Sequence, residues 1–145
     1  NGGDGLVISQ VLKKLNQNVI LYCLESMAYK GDAKIAYKKN QLTKNNYNDL
    51  NIPKNSVIID CLFGIGLNRK VKGMYKNIIK KVNKSKQYVI SIDIPSGING
   101  DNGKIMGEAI KANSTYTLHA KKIGLTINSG MKYSGKVSII DIGIK

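Results

Sequence analysis

Three short runs constrain the chain more than anything else: Val19-Ile20-Leu21-Tyr22-Cys23-Leu24, Ser56-Val57-Ile58-Ile59-Asp60 and Tyr88-Val89-Ile90-Ser91-Ile92-Asp93. Each is brief, rich in β-branched residues, and apolar at adjacent as well as alternate positions. That is the pattern of strands covered on both faces, as in a parallel sheet. Between them the apolar spacing becomes helical. Leu6, Val7, Val11, Leu12 and Leu15 predict a helix over about 5–16, with Asp4 as N-cap. A weaker helix is expected over 29–40, and Ile78, Ile79 and Val82 predict one over about 74–83 with lysines outward. Residues 38–55, dominated by Lys and Asn, read as a loop ending at Pro53. Residues 115–118 and 137–141 supply two further strands. Parallel strands need crossover connections, so the expected fold is α/β: a Rossmann-like doubly wound, mostly parallel sheet with helices on both faces. At 145 residues the length suits one domain.

The charge is +14, from 23 basic against 9 acidic residues. Such a balance makes a nucleic-acid or acidic-membrane partner worth weighing. However, 22 of the bases are Lys, and Asn and Ile number 16 and 21. These three types share A/T-rich codons, and base readout favours Arg. The charge therefore reads as solvated surface, with weak, non-specific binding of nucleic acid expected. No apolar run approaches the ~20 residues of a membrane span, so no membrane partner is expected. Cys23 and Cys61 form no CxxC pair, which predicts neither zinc site nor disulfide framework and suits a reduced, cytoplasmic setting.

In doubly wound sheets ligands sit beyond the carboxyl ends of the strands. Three polar, glycine-bearing segments are expected at that edge: Asn1-Gly2-Gly3-Asp4, the stretch from Asp60 to Lys70, and Asp93-Ile94-Pro95-Ser96-Gly97. One Asp at a strand end is ordinarily a turn former; two strand exits with Asp, Asp60 and Asp93, and a third Asp beside glycines point to a site. Gly64 and Gly66 let backbone N–H groups approach an anion, with Asn68, Arg69 and Lys70 available to phosphate. The alternative is a tight turn carrying exposed bases. Familiar nucleotide fingerprints fail. Arg69 stands where GxGxxG needs its third glycine, and Gly103-Lys104 lacks both the first glycine and the Ser/Thr of a P-loop. Asn99-Gly100-Asp101 would begin a calcium loop, but Ile110 replaces its bidentate Glu. His119 is the sole histidine, which removes His-His metal designs, and Ser96 has no GxSxG context.

The segments NGGDGL (1–6), DCLFGIGLNR (60–69), SIDIPSGINGDNG (91–103), KIGL (122–125) and DIGI (141–144) resemble, in order and spacing, the YjeF N-terminal domain. The resemblance spans nearly the whole chain. It implies an NAD(P)H-hydrate epimerase, an isomerase that interconverts the R and S forms of damaged NADH or NADPH hydrated at ring carbon 6. The S form passes to an ADP- or ATP-dependent dehydratase, fused or separate. The resemblance further implies a potassium site at Asn1, Asp60 and Ser96. Substrate contacts would fall on Asn1, Gly2, Gly3, Asp4, Gly64, Ile65, Gly66, Leu67, Asn68, Arg69, Lys70 and Asp93. Asp60 is the first candidate for moving a proton, followed by Asp4, with Lys122 as proton partner or charge stabiliser. Measured against the family, residues 1–145 read as a fragment lacking the amino-terminal helices and first strand, which predicts poor stability in isolation. A homodimer is compatible with the family, as is a mitochondrial location if a targeting segment lies upstream. The competing reading is a non-catalytic YjeF-like nucleotide- or RNA-binding scaffold module.

Overall fold

The structure, a computed structural model, describes residues 2–24 and 28–143. The chain divides into two compact units, Asn1–Asn51 and Ile52–Lys145.

In the first unit, α1 (Gly2–Lys14), β1 (Leu21–Tyr22), α2 (Gly31–Lys39) and β2 (Lys44–Asn45) follow in order, with a 3₁₀ turn at Tyr47–Asp49. Leu6, Leu21, Cys23 and Tyr29 form its core, against which Ala33, Ala36 and Tyr37 of α2 pack. Asn40, buried at the end of α2, donates from Nδ2 to Leu6 O at 2.8 Å and to Ser9 Oγ at 2.9 Å. It thereby joins the carboxyl end of α2 to α1. Two expectations change here. The helix begins at Gly2, so Asp4 lies inside its first turn rather than capping it, where its charge still complements the helix dipole. The strand expected over 19–24 shortens to Leu21–Tyr22, because only these residues find a ladder partner, pairing in parallel with Lys44 and Asn45. That pairing also puts a strand into the region read as loop.

The second unit carries β3 (Val57–Asp60), α3 (Gly73–Ser85), β4 (Tyr88–Ile92), β5 (Ser114–Leu118), α4 (Asn128–Tyr133) and β6 (Lys136–Ile140). Its four strands form one parallel sheet in the order β3-β4-β5-β6, with Ile58 opposite Val89, Ile90 opposite Ser114, and Thr115 opposite Val137. The mostly parallel α/β architecture expected of the sequence is present. β3 is not covered on both faces as its composition suggested: it lies at the edge of this sheet, and Val57 is 58% exposed. α3 turns Ile78, Ile79 and Val82 inward, as its periodicity predicted.

β4 is joined to β5 without a helix. The connection is held by an antiparallel bridge between Ile98 and Ile105, and by Ile94, Ile98 and Ala109, which pack with Leu125 as a second core. Gly97 shows why glycine is needed in it. Its φ is +98°, and a Cβ there would lie 2.0 Å from Glu108 O. The short helix α4 had no clear sequence signal. It forms because Gly130 lets the backbone approach Gly124 O closely and donates its own N–H to Gly103 O at 2.8 Å.

Candidate active site

β3 and β4 end side by side, with Asp60 in register with Ser91. Asp60 is 4% exposed, and its carboxylate accepts four hydrogen bonds. Oδ1 takes Ser96 Oγ at 2.6 Å and Leu62 N–H at 3.3 Å; Oδ2 takes Ser91 Oγ and Ser96 N–H, each at 2.8 Å. The Ser96 hydroxyl in turn accepts Phe63 N–H at 2.8 Å, and Phe63 O lies 3.3 Å from it. Burial pushes the Asp60 carboxyl above the ordinary carboxylate range, while the bonds from Ser96, Ser91 and Leu62 pull it down. No basic side chain contributes to that balance. The result is a buried acid wrapped by neutral donors, with three oxygens from three residues, Asp60 Oδ1, Ser96 Oγ and Phe63 O, drawn together at the strand ends.

Asp93 follows β4 and is built differently. Its Oδ1 forms an ion pair with Lys122 Nζ at 2.5 Å and accepts Leu118 N–H at 3.3 Å, with Thr117 Oγ1 at 3.5 Å. Lys122 Nζ also donates to Leu118 O at 2.6 Å. Asp93 and Lys122, named separately in the sequence, thus form one ion pair at the ends of β4 and β5. The stretch from Gly64 to Lys70 is an open turn closed by Leu67 N–H on Gly64 O at 3.1 Å. Leu67 is buried, whereas Ile65, Gly66, Asn68, Arg69 and Lys70 are exposed. A Cβ on Gly66 would meet nothing within 4 Å, so packing does not require its glycine.

Gly2, Gly3 and Asp4 belong to the first unit, and Asn1 lies outside the described residues. There the two glycines let α1 pack closely on Tyr29 and α2: a Cβ at Gly2 would lie 2.8 Å from Tyr29 Cε1, and one at Gly3 would lie 3.1 Å from Ala33 Cβ. The sequence reading missed Ser91 and the backbone of Leu62 and Phe63 as partners of Asp60. Ser91 was detectable in principle, as a serine set between Ile90 and Ile92 inside a largely apolar strand. Thr117 and Leu118 around Asp93 carried no such signal. No cluster of three or more His, Cys, Asp or Glu able to hold a metal ion occurs among the described residues, which leaves hydroxyl and carbonyl oxygens as the partners open to Asp60.

Comparison with known proteins identifies the family. The sequence profile of the family described as YjeF-related protein N-terminus matches residues 1–124. A Levilactobacillus brevis protein named NAD(P)H-hydrate epimerase is 39% identical over 153 aligned positions, covering 99% of this chain and 68% of that protein. A protein of the same name from Oenococcus oeni is 37% identical over 149 positions, covering 99% and 70%. The bifunctional NAD(P)H-hydrate repair enzyme Nnr of Coxiella burnetii is 36% identical over 149 positions, spanning 99% of this chain and 30% of that protein. The extent and continuity of these matches establish that the chain belongs to the YjeF-related protein N-terminus family.

Proposed function

We propose that this chain is an NAD(P)H-hydrate epimerase, interconverting the R and S hydrates of NADH and NADPH as a step in cofactor repair. The observation that carries the reading is the similarity across 99% of the chain to proteins bearing that name. The geometry supports it. An exposed glycine turn with Asn68, Arg69 and Lys70 suits the phosphates of a dinucleotide. Beyond the adjoining strands stand two carboxylates in contrasting settings, one buried among neutral donors and one paired with a lysine.

The reaction asks little of a protein. Carbon 6 of the hydrated ring bears a hydroxyl and is bonded to the ring nitrogen, whose lone pair can expel the hydroxyl as water once it gains a proton. Water re-entering from the other face returns a proton, so one carboxyl group that gives and takes it suffices. The site's other tasks are to hold the dinucleotide and orient the ring.

A potassium ion fits the donor types at Asp60, whose Oδ1 would be freed for it if the Ser96 hydroxyl turned its hydrogen away. A buried carboxylate without a basic partner, beside a hydroxyl and a carbonyl oxygen, suits a hard monovalent cation with oxygen ligands. Asp60 and Ser96 would hold it; Asn1, the third residue implied by resemblance, lies outside the described residues. When bound, the ion supplies a positive charge that neutralises Asp60.

The S hydrate is consumed by a dehydratase. The bifunctional name of the Coxiella relative supports coupling of the two steps in one chain. The test is R-to-S conversion of hydrated NADPH in potassium buffer, coupled to an S-specific dehydratase. Full turnover of an equal mixture of the two epimers with this protein, against half turnover without it, is the expected result. Half turnover in both cases would remove the epimerase reading.

A further inference from the structure

Both strand exits flanking Asp93 carry an uncommon backbone turn. At the end of β4, Ile94 N–H donates to Ile92 O at 3.0 Å around Asp93, whose φ is +70°. At the end of β5, Ala120 N–H donates to Leu118 O at 2.8 Å around His119, whose φ is +63°. These are γ-turns with a non-glycine residue at positive φ, the rare and strained form. Backbone of this kind persists where its surroundings over-determine it, and it gathers at functional sites.

One side chain joins the two turns. Lys122 Nζ contacts Asp93 Oδ1 at the centre of the first and Leu118 O, the acceptor of the second. The Leu118 N–H also reaches Asp93 Oδ1. Every polar contact of the Asp93 carboxylate therefore falls on Oδ1, and Oδ2 makes no hydrogen bond among the described residues. Asp93 is buried, its side chain only 8% exposed, yet no fully enclosed side-chain oxygen or nitrogen among those residues lacks a partner, so Oδ2 keeps part of that small exposure. Asp60 is the opposite case, with both oxygens already accepting two bonds each.

We propose that Lys122 is a positioning residue: it clamps both γ-turns and turns the Asp93 carboxylate so that Oδ2 alone is offered to the substrate. Asp93 is then the proton-transferring group. Its Oδ2 gives a proton to the hydroxyl on ring carbon 6, which leaves as water when the original C–O bond breaks and the ring nitrogen's lone pair forms the iminium, and takes a proton back from the water that forms the new C–O bond on the other face. The proton count closes over the cycle without an oxidant or co-reactant. Asp60, in this arrangement, organises the strand ends and balances charge. The inference rests on the epimerase reading above.

The test uses the full chain with Lys122→Met, Lys122→Arg, Asp93→Asn and the double variant Lys122→Met/Asp93→Asn. Loss of a positioned acid–base group costs about 10²-fold or more, and Asp93→Asn is expected to lose that in kcat. Lys122→Met should lose at least tenfold in kcat with KM nearly unchanged, and Lys122→Arg should recover part of it. The double variant should be no worse than Asp93→Asn, since Lys122 acts through Asp93. Losses that multiply in the double variant, a Lys122→Arg as impaired as Lys122→Met, or a Lys122→Met within twofold of the parent would each overturn the proposal. Crystal structures of the parent and Lys122→Met give a readout independent of turnover. The Asp93 carboxylate should leave Leu118 N–H in the variant, and an unmoved carboxylate refutes the clamp. If the parent itself interconverts no hydrate, the epimerase reading fails while the crystallographic comparison still decides the clamp.

Discussion

Ser96 Oγ donates to Asp60 Oδ1 across 2.6 Å although 36 residues separate them in the chain. The backbone N–H of the same serine reaches the other carboxylate oxygen, so one residue after β4 holds both oxygens of the acid that ends β3. The consequence is an Asp60 carboxylate whose orientation is set before any ligand arrives. Its burial is tolerated because each oxygen has partners.

Ser96→Ala should therefore destabilise the second unit more than deletion of one buried hydroxyl alone suggests. It removes one donor from Asp60 and the acceptor of Phe63 N–H together. A buried group left without its partner costs roughly 1–3 kcal/mol. Chemical denaturation of parent and variant should show a loss in that range, and an unchanged midpoint would mean that solvent replaces the hydroxyl freely.

Potassium should stabilise the protein through Asp60. In potassium-free buffer, the raised carboxyl means that the native state keeps a proton that the unfolded chain has already released above its ordinary value of about 3.9. Unfolding free energy should then fall as pH rises from that value through the raised native one. Excess KCl should offset the fall, adding ~1.4 kcal/mol per tenfold rise in concentration above Kd. Equal choline chloride should not reproduce the gain. In Asp60→Asn both the pH slope and the potassium response should shrink, as measured by thermal unfolding across pH.

Two glycines in the same unit should separate packing from ligand contact. Gly97→Ala forces a Cβ against Glu108 O at a positive φ, so the variant should lose several kcal/mol or fail to accumulate as folded protein. Gly66→Ala meets open space and should keep its unfolding midpoint within about 0.5 kcal/mol. Its substrate KM should nevertheless rise if the turn's backbone approaches the dinucleotide. An unaffected KM would place the phosphates elsewhere.

Nucleic acid should bind only through diffuse charge. A dissociation constant around 10⁻⁴ to 10⁻⁶ M at physiological salt, weakening steeply as salt rises, is expected of such a surface. Fluorescence anisotropy with unrelated RNA sequences measures it. Sequence-selective binding retained after neutralising Arg69, Lys70 and Lys72 would instead favour a scaffold role.

The strands and helices that position the site were legible in the sequence where burial alone decides them. The apolar run ending at Asp60 and the one ending at Asp93 pair in parallel, and Ile78, Ile79 and Val82 face inward, because nearly continuous hydrophobicity and helical spacing permit few other placements. Residues 19–24 were less legible: a strand's extent depends on where a neighbour supplies hydrogen bonds, and only Leu21 and Tyr22 find ladder partners. α4 depends on a close backbone approach at Gly130 that no local periodicity encodes. Asp60, Asp93 and Ser96 stood out as candidates by their places at and just after strand ends, and Lys122 through the family resemblance. What each carboxylate can do was not. Asp60 spends both oxygens on Ser91, Ser96 and Leu62, while Asp93 keeps one oxygen open through a lysine 29 residues farther on. Hydrogen-bond saturation depends on groups from several strand ends meeting in space, so the tertiary structure alone decides which acid is occupied and which is available.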